Sequence, residues 1–444
     1  MSLIESCIKL LPAAIRSQIE GRASTGRIIS NLSWQSSEYI LRLGGGILIT
    51  AWISRYLLPT NAGILAFAAS YSMVLLPIVL LGIDHIVIRE LVNNPDRKNE
   101  LLGTAFTLKL ASGFIAWALM LVTFNLTYVG PVTIGMVALT GTALLSQSVD
   151  TLNLWFVAKV ETRKTAIARK ISFLMVSVLR IALILAAADV FYFAASYAVD
   201  YALIAIGLGV AYWMSGEHFR HWTFSREQAK MLLATGWPLA LAAFFAFTIN
   251  ARIGRLLVWY FHGDHELGIY GVVATLVEVC YVVPVIACNS VAPAILNAKK
   301  VDTDLYYSRL QGALTAMALF GLLVAIPTSL LAPWIIQVLY GSAYSAGSSS
   351  LAVLIWMIVP VSLAGAQNIW ITSENRIYFT LAVSAVSATL FLALGLILIP
   401  IYAGLGCAIS VVVSHSIAVL FVGFAYAPAR RITAMTWKAL LLRR

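Results

Sequence analysis

The chain has 444 residues, of which 61% are hydrophobic and only 11% charged, with a mean hydropathy of +0.89. A soluble domain carries about 25% charged residues, so the composition excludes one and points to a polytopic membrane protein. The formal net charge of +11 would suggest a nucleic-acid partner in a soluble chain. Here the distribution of the charge sets orientation instead, and no nucleic acid is implied.

In chain order, residues 1–29 come first. Glu5, Lys9 and Arg16 interrupt any apolar run there, which argues against a signal peptide. Ile4, Ile8, Leu11, Ile15 and Ile19 recur at helical spacing. Two readings stay open: a cytoplasmic surface helix kinked at Pro12, or a frayed tail. Roughly twelve apolar segments follow, each near the 20 residues that cross a bilayer. They lie at about 30–57, 62–83, 103–124, 131–154, 166–188, 190–213, 234–260, 267–296, 310–334, 348–371, 378–399 and 404–427. The longest polar interruption, Ser215–Lys230, divides them into two sets of six. The expected organisation is therefore an N-terminal lobe over 30–214, a cytoplasmic linker over 215–233, a C-terminal lobe over 234–427 and a basic cytoplasmic tail over 428–444.

An internal echo supports two halves. Asn61-Ala62-Gly63 and Pro77 resemble Leu267-Gly268 and Pro284, each set following a tryptophan (Trp34, Trp237) and intramembrane arginine. Because both halves start on the same side, they form a parallel repeat. With Arg169 and Lys170, at the start of the fifth segment, counted to the loop before it, all but six of the 30 lysines and arginines fall in alternate gaps or at the termini. The positive-inside rule then puts both termini in the cytoplasm.

The six exceptions, Arg42, Arg55, Lys109, Arg180, Arg252 and Arg255, lie within apolar segments alongside Glu38, Asp150, Asp200 and Glu278. An arginine at a helix centre costs about 2.5–3.5 kcal/mol on insertion scales and cannot lose its proton, so each must face a partner or a wet cavity. Glu38 and Arg42 are four apart, in the favourable order for an ion pair. Arg252 and Arg255 share a helical face with no carboxylate nearby on that face, so they repel unless an anion lies between them. On one reading Arg42, Arg252 and Arg255 line a central vestibule and grip a phosphate or pyrophosphate by forked hydrogen bonds. On the other, Glu38 neutralises Arg42, and Glu278 or Asp200 pairs with Arg252 or Arg255. Arg55 reaches for the membrane interface, while Arg180 and Lys109 either line the cavity or pair.

Glu38, Asp200 and Glu278 also permit a site for a coupling ion, H⁺ or Na⁺. Each is better explained as a structural counter-ion to arginine. His262, Asp264 and His265 read as solvated loop, His415 as a packed histidine, and the four dispersed cysteines imply neither a metal site nor disulfides. Gly44-Gly45-Gly46 weakens the first segment and predicts a bend. No GxSxG, P-loop or HExxH motif occurs, and the outward loops are too short to hold a domain, so neither an enzyme nor an ATP-driven pump is favoured.

The stretch ISNLSWQSSEYILRLGGGILITAWISRYLLPTNAGILAFAASYSMVLLPIVLLGIDHIVIREL, residues 29–91, resembles the opening helices of bacterial polysaccharide flippases, the Wzx-type O-antigen translocases of the multidrug/oligosaccharidyl-lipid/polysaccharide exporter superfamily. It carries an arginine in the first helix, a short glycine-containing turn and an exit of the form Leu81-Gly82-Ile83…Arg89-Glu90. The resemblance implies an all-α fold with two pseudo-symmetric six-helix lobes around a central cavity. It also implies a multi-pass location in the bacterial inner membrane and movement of an undecaprenyl-pyrophosphate-linked oligosaccharide between leaflets. Arg42 takes the family-like position; Arg252 and Arg255 are assigned by chemistry. Trp52, Tyr71, Trp259, Tyr281 and Trp370 could stack on sugar rings or serve as ordinary core and interface aromatics. Implied partners are the lipid-linked substrate, membrane lipids, and a polymerase and glycosyltransferases of polysaccharide synthesis. Rival classes are a cation-coupled exporter of the same superfamily, with a carboxylate cluster and no arginine excess; a membrane polymerase or glycosyltransferase; and a structural membrane protein whose buried charges all pair.

Overall fold

The computed structural model of the chain describes residues 23–127, 133–245 and 252–441, which are helical almost throughout and contain no strand. That is the outcome hydrocarbon demands, since a helix satisfies its own backbone hydrogen bonds. All twelve apolar segments have helical counterparts among the described residues. Among the described residues, seven continuous stretches are long and apolar enough to cross a membrane. Three of these, Gly44–Asn93, Gly254–Lys299 and Tyr378–Ala425, run to 50, 46 and 48 residues, about twice the length one crossing requires.

Helix α1 (Ala23–Ser72) joins the first two segments across a sharp break at Leu58 (φ 61°). Pro59 explains the break: it lacks an amide hydrogen, clashes with the preceding turn, and suits the first position of the next helix. The predicted bend at Gly44–Gly46 is absent, because proline removes a hydrogen bond whereas glycine only weakens propensity. Beyond α1 come α2 (Leu76–Leu80), α3 (Asp84–Asn93) and α4 (Lys98–Thr127). The fourth segment is split into α5 (Ile134–Ser146) and α6 (Thr151–Ala158), and α7 (Thr162–Leu185) and α8 (Val190–Met214) complete the first half. Residues 1–22 of the expected N-terminal surface helix lie outside the described residues, and 23–29 open α1.

Ser215–Ser225 is not a free connector. Lys98 Nζ donates to both carboxylate oxygens of Glu217 at 2.7 Å, and Trp222 Nε1 donates to Tyr212 OH at 3.0 Å inside a cluster that includes Phe106 and Phe219. A side chain at Gly103 would strike the Thr223 backbone. This strap holds the polar stretch against the first half. The following helix, α9 (Arg226–Ala243), packs on α2, α3 and α4, with Gly82 and Gly236 in backbone-to-backbone approach.

The second half continues as α10 (Gly254–Cys280), α11 (Val282–Lys299), α12 (Thr303–Leu330), α13 (Ala332–Tyr340), α14 (Gly347–Leu354) and α15 (Ile358–Ser373). It ends with α16 (Ile377–Ala425) and α17 (Arg430–Leu440). Helix α10 breaks at Gly263 (φ 78°), 205 residues after the break at Leu58. Left-handed residues recur in the same way at Val160 and Asn375, and at Ala187 and Ala403. The expected basic tail over 428–444 is a helix from 430 to 440 that buries Ile432, Thr433, Thr436 and Ala439.

The halves meet where α1 and α10 break. A Cβ at Gly63 would collide with the Asp264 carbonyl, and one at Gly268 with the Pro59 carbonyl, so only glycine permits the crossing. Tyr344 OH donates to the Ser54 carbonyl at 2.7 Å in a buried contact, and Thr60 Oγ1 lies 3.5 Å from His265 Nδ1. Arg55 does not reach for lipid headgroups. Its guanidinium bonds the Gln337 and Val338 carbonyls in the last turn of α13, where the helix dipole is negative.

Candidate functional site

Two cavities lie among the intramembrane charges. The larger, about 270 Å³, is lined by Arg42, Asp150, Arg169 and Tyr201, with Gln147 and Leu208. The expected pair forms: Arg42 Nε lies 3.6 Å from Glu38 Oε1, and Glu38 is buried. It does not satisfy the guanidinium, because Arg42 Nε and Nη2 are both buried without a hydrogen-bond partner. Arg169 Nη2 donates to Asp150 Oδ1 at 2.5 Å while its own Nε is buried and unbonded. Buried donors are nearly always bonded, so two incompletely satisfied guanidiniums facing one cavity make a place for an acceptor-rich group.

The smaller cavity, about 110 Å³, is lined by Arg180, Arg255, Tyr197 and Thr275, with Ser54 and Gly268 from the α1–α10 crossing. Arg180 Nε donates to Ser196 Oγ at 2.9 Å and its guanidinium stacks over the Tyr197 ring, 4.9 Å from the centroid. Tyr201 links the two sites: it lines the Arg42 cavity and lies within electrostatic reach of Arg180 and Arg252.

Arg255 has a counter-ion, although its Nε stays buried and unbonded. It is buried, and its Nη2 donates to Glu278 Oε1 at 2.7 Å. The two are 23 residues apart on one helix, about 35 Å if α10 were straight; the Gly263 break folds the helix back and brings them together. Glu278 is one of the two counter-ions the sequence offered, and the break is what selects it. Arg252, half-buried, is within electrostatic reach of Arg255, Glu278, Tyr201 and Tyr197. Asp200 accepts from Ser172 Oγ at 2.8 Å and makes no ion pair with these arginines among the salt bridges of the described residues. Lys109 lines neither cavity: it is fully buried and bonds Asp84 at 2.5 Å, a carboxylate the apolar segmentation did not single out.

The sugar-stacking candidates disperse. Trp259 Nε1 donates to Asp264 and its ring packs on Phe67; Tyr71 stacks on Phe67; Trp370 is buried against Phe379; Trp52 is 48% exposed. None of these, nor Tyr281, lines either cavity. The aromatics that do are Phe193, Tyr197 and Tyr201. His262 meets the Ile399 carbonyl at 2.8 Å, and no group of three metal-binding side chains occurs among the described residues. Sequence reasoning missed Arg169 by counting it as a loop cation. The signal was present in the isolated acid Asp150 and in the position of Arg169 itself, inside the fifth apolar segment at 166–188.

The sequence matches the family described as polysaccharide biosynthesis protein over residues 52–349. No curated protein matches the chain in sequence. Among solved structures, the lipid II flippase MurJ in an inward closed conformation superposes with a TM-score of 0.69 at 13% identity, covering 93% of this chain and 91% of that one. A multidrug resistance MATE family transporter of the MOP superfamily, in an inward-facing conformation, gives 0.60 at 14% identity over 90% and 96% of the two chains. A MOP superfamily transporter from Pyrococcus furiosus gives 0.56 at 17% identity over 92% and 94%. At these identities the likeness is one of fold.

Proposed function

We propose, for a chain that belongs to the polysaccharide biosynthesis protein family and has the all-α fold of MOP superfamily transporters, that it flips an undecaprenyl-pyrophosphate-linked oligosaccharide from the cytoplasmic to the periplasmic leaflet. The observation that carries this reading is the row of interior guanidiniums. Arg42 and Arg169 share one cavity with Tyr201, Arg180 and Arg255 share the other, and Arg252 is within electrostatic reach of both Tyr201 and Arg255. Forked donors are the groups that bind phosphate oxygens best.

In this scheme the pyrophosphate docks at Arg42 and Arg169, whose unbonded N–H groups are free to receive it, and passes Arg252 on its way toward Arg255. Alternating access moves the six-helix lobes (30–214 and 234–427) about that path, and the α1–α10 crossing is the periplasmic gate. The chain resides in the bacterial cytoplasmic membrane with both termini inside, and its neighbours in the pathway are glycosyltransferases and a polymerase. A cation-coupled drug or metabolite exporter is the alternative. Against it, Glu38, Asp200 and Glu278 are each engaged by a different partner and form no carboxylate cluster.

The test is complementation of a flippase-deficient strain. Arg42→Gln with Arg169→Gln should abolish surface polysaccharide and accumulate the lipid-linked intermediate on the cytoplasmic leaflet, at unchanged membrane abundance. Wild-type polysaccharide from that double variant, and from Arg252→Gln with Arg255→Gln, would overturn the phosphate path. Glu38→Gln, Asp200→Asn and Glu278→Gln, assayed under imposed H⁺ and Na⁺ gradients, test coupling. Gradient-independent transport in all three and in wild type would remove it.

A further inference from the structure

Glu374 is the last acidic residue of the chain; from Asn375 to Arg444 the charged residues are Arg376, Arg430, Arg431, Lys438, Arg443 and Arg444. Helix α17 sorts its share by face. Ile432, Thr433, Thr436 and Ala439 are buried, while Arg430, Arg431, Ala434 and Lys438 form one exposed stripe at i, i+1, i+4 and i+8.

This stripe stands at a hydrocarbon boundary. Helix α16 leaves Phe421 and Phe424 exposed at 50% and 43% just before α17 begins, and Leu441 is 56% exposed at its far end. Trp437 packs edge-on against Phe421 and donates to the Leu420 carbonyl, the amphipathic arrangement tryptophan takes at a membrane interface. Arg430 donates to the Phe424 carbonyl, and Arg431 stacks on Tyr307; both anchor through one group while remaining exposed. Among the described residues Lys438 makes no side-chain hydrogen bond or ion pair.

We infer that α17 lies in the membrane interface and binds anionic phospholipid headgroups through Arg430, Arg431 and Lys438. Amphipathic helices with a basic face and aromatic flanks bind such surfaces. Each basic side chain near an anionic surface contributes about 1 kcal/mol, roughly a fivefold factor in occupancy.

The helix also grips the bundle, so headgroup binding has a mechanical consequence. Gln311 Nε2 of α12 donates to the Met435 carbonyl at 3.2 Å. Buried Gln367 of α15 donates to Thr436 Oγ1 at 2.9 Å and to the Val419 carbonyl of α16 at 3.3 Å. A Cβ at Gly423 would collide with Thr433. Lipid binding on the outer stripe thus holds α12, α15 and α16 together at one end through α17. The inference does not depend on which substrate is moved.

The experiment uses full-length protein in nanodiscs of phosphatidylcholine alone and with about 30% phosphatidylglycerol, read by amide hydrogen exchange over 430–440. Phosphatidylglycerol should slow exchange there by more than tenfold, and about 0.5 M salt should remove the effect, since the Debye length falls to a few ångströms. The triple variant Arg430→Gln, Arg431→Gln, Lys438→Gln should lose the response. Because two of those residues also make intramolecular contacts, Lys438→Gln alone is the control. It should match wild type in phosphatidylcholine and show an about fivefold smaller lipid effect. Equal exchange in the two membranes for wild type, or a full lipid response in the triple variant, would overturn the proposal.

Discussion

Replacing Arg55 and Tyr344 should open the protein at the end where α1 crosses α10. Tyr344 OH donates to the Ser54 carbonyl in a buried contact, and deleting such a bond costs about 1 kcal/mol. Arg55 is exposed, so its bonds to the last turn of α13 count at the level of a cation near a helix C-terminus, about 0.5–1 kcal/mol. The two contacts share no partner and should add. Together they favour closure by about 2 kcal/mol, which corresponds to roughly a 30-fold change in the closed-to-open ratio. The assay is a cysteine at Thr275, which lines the smaller cavity, in a background with the four native cysteines replaced by alanine. A membrane-impermeant maleimide is added from the periplasmic side. Arg55→Gln with Tyr344→Phe should raise the labelling rate at least tenfold, with each single variant contributing part. An unchanged rate in the double variant, at normal melting temperature, would show that these bonds are incidental to closure and that the glycine crossing alone sets it.

The crossing itself has a separate test. Thr60→Cys with His265→Cys should form a disulfide readily, because the native side chains are 3.5 Å apart, and adding Gly63→Val should abolish it by pushing the Asp264 backbone away; bond formation is read by gel mobility. Asp84→Asn leaves the fully buried Lys109 without its carboxylate and should destabilise the protein by about 3 kcal/mol, seen as a lower melting temperature in detergent. Lys109→Met combined with Asp84→Leu should recover most of that loss. Trp222→Ala empties the aromatic cluster under the strap and breaks the bond to Tyr212, at about 3 kcal/mol. It should expose the 215–225 segment to proteolysis, and unchanged cleavage would mean that Lys98 and Glu217 hold the strap unaided.

Most of the helical architecture was legible in the chain. Apolar runs near 20 residues become helices because hydrocarbon offers the backbone no other partner, and Pro59 marks its break by local chemistry. The pairing of Glu38 with Arg42 was also legible, since four residues of helix place them on one face. Charges brought together by folding were less accessible. Arg255 meets Glu278 only because α10 turns at Gly263; Lys109 meets Asp84 across two helices; and Arg169 of α7 lines a cavity beside Asp150, which lies between α5 and α6.

The division follows the range of the forces involved. Composition, apolar length and local breaks act within a few residues, so the sequence by itself determined a helical membrane protein, its segment positions and the presence of more cations than the interior can easily hold. Which cations are neutralised and which retain buried, unbonded N–H groups depends on side chains tens to hundreds of residues away, as with Ser54 and Tyr344 or Arg169 and Asp150. Only the tertiary structure decides that, because ion pairing falls off over a few ångströms in space and takes no account of distance along the chain. Arg42, Arg169 and Arg255 each keep a buried, unbonded Nε, so the structure adds Arg169 to the arginines that spacing had singled out.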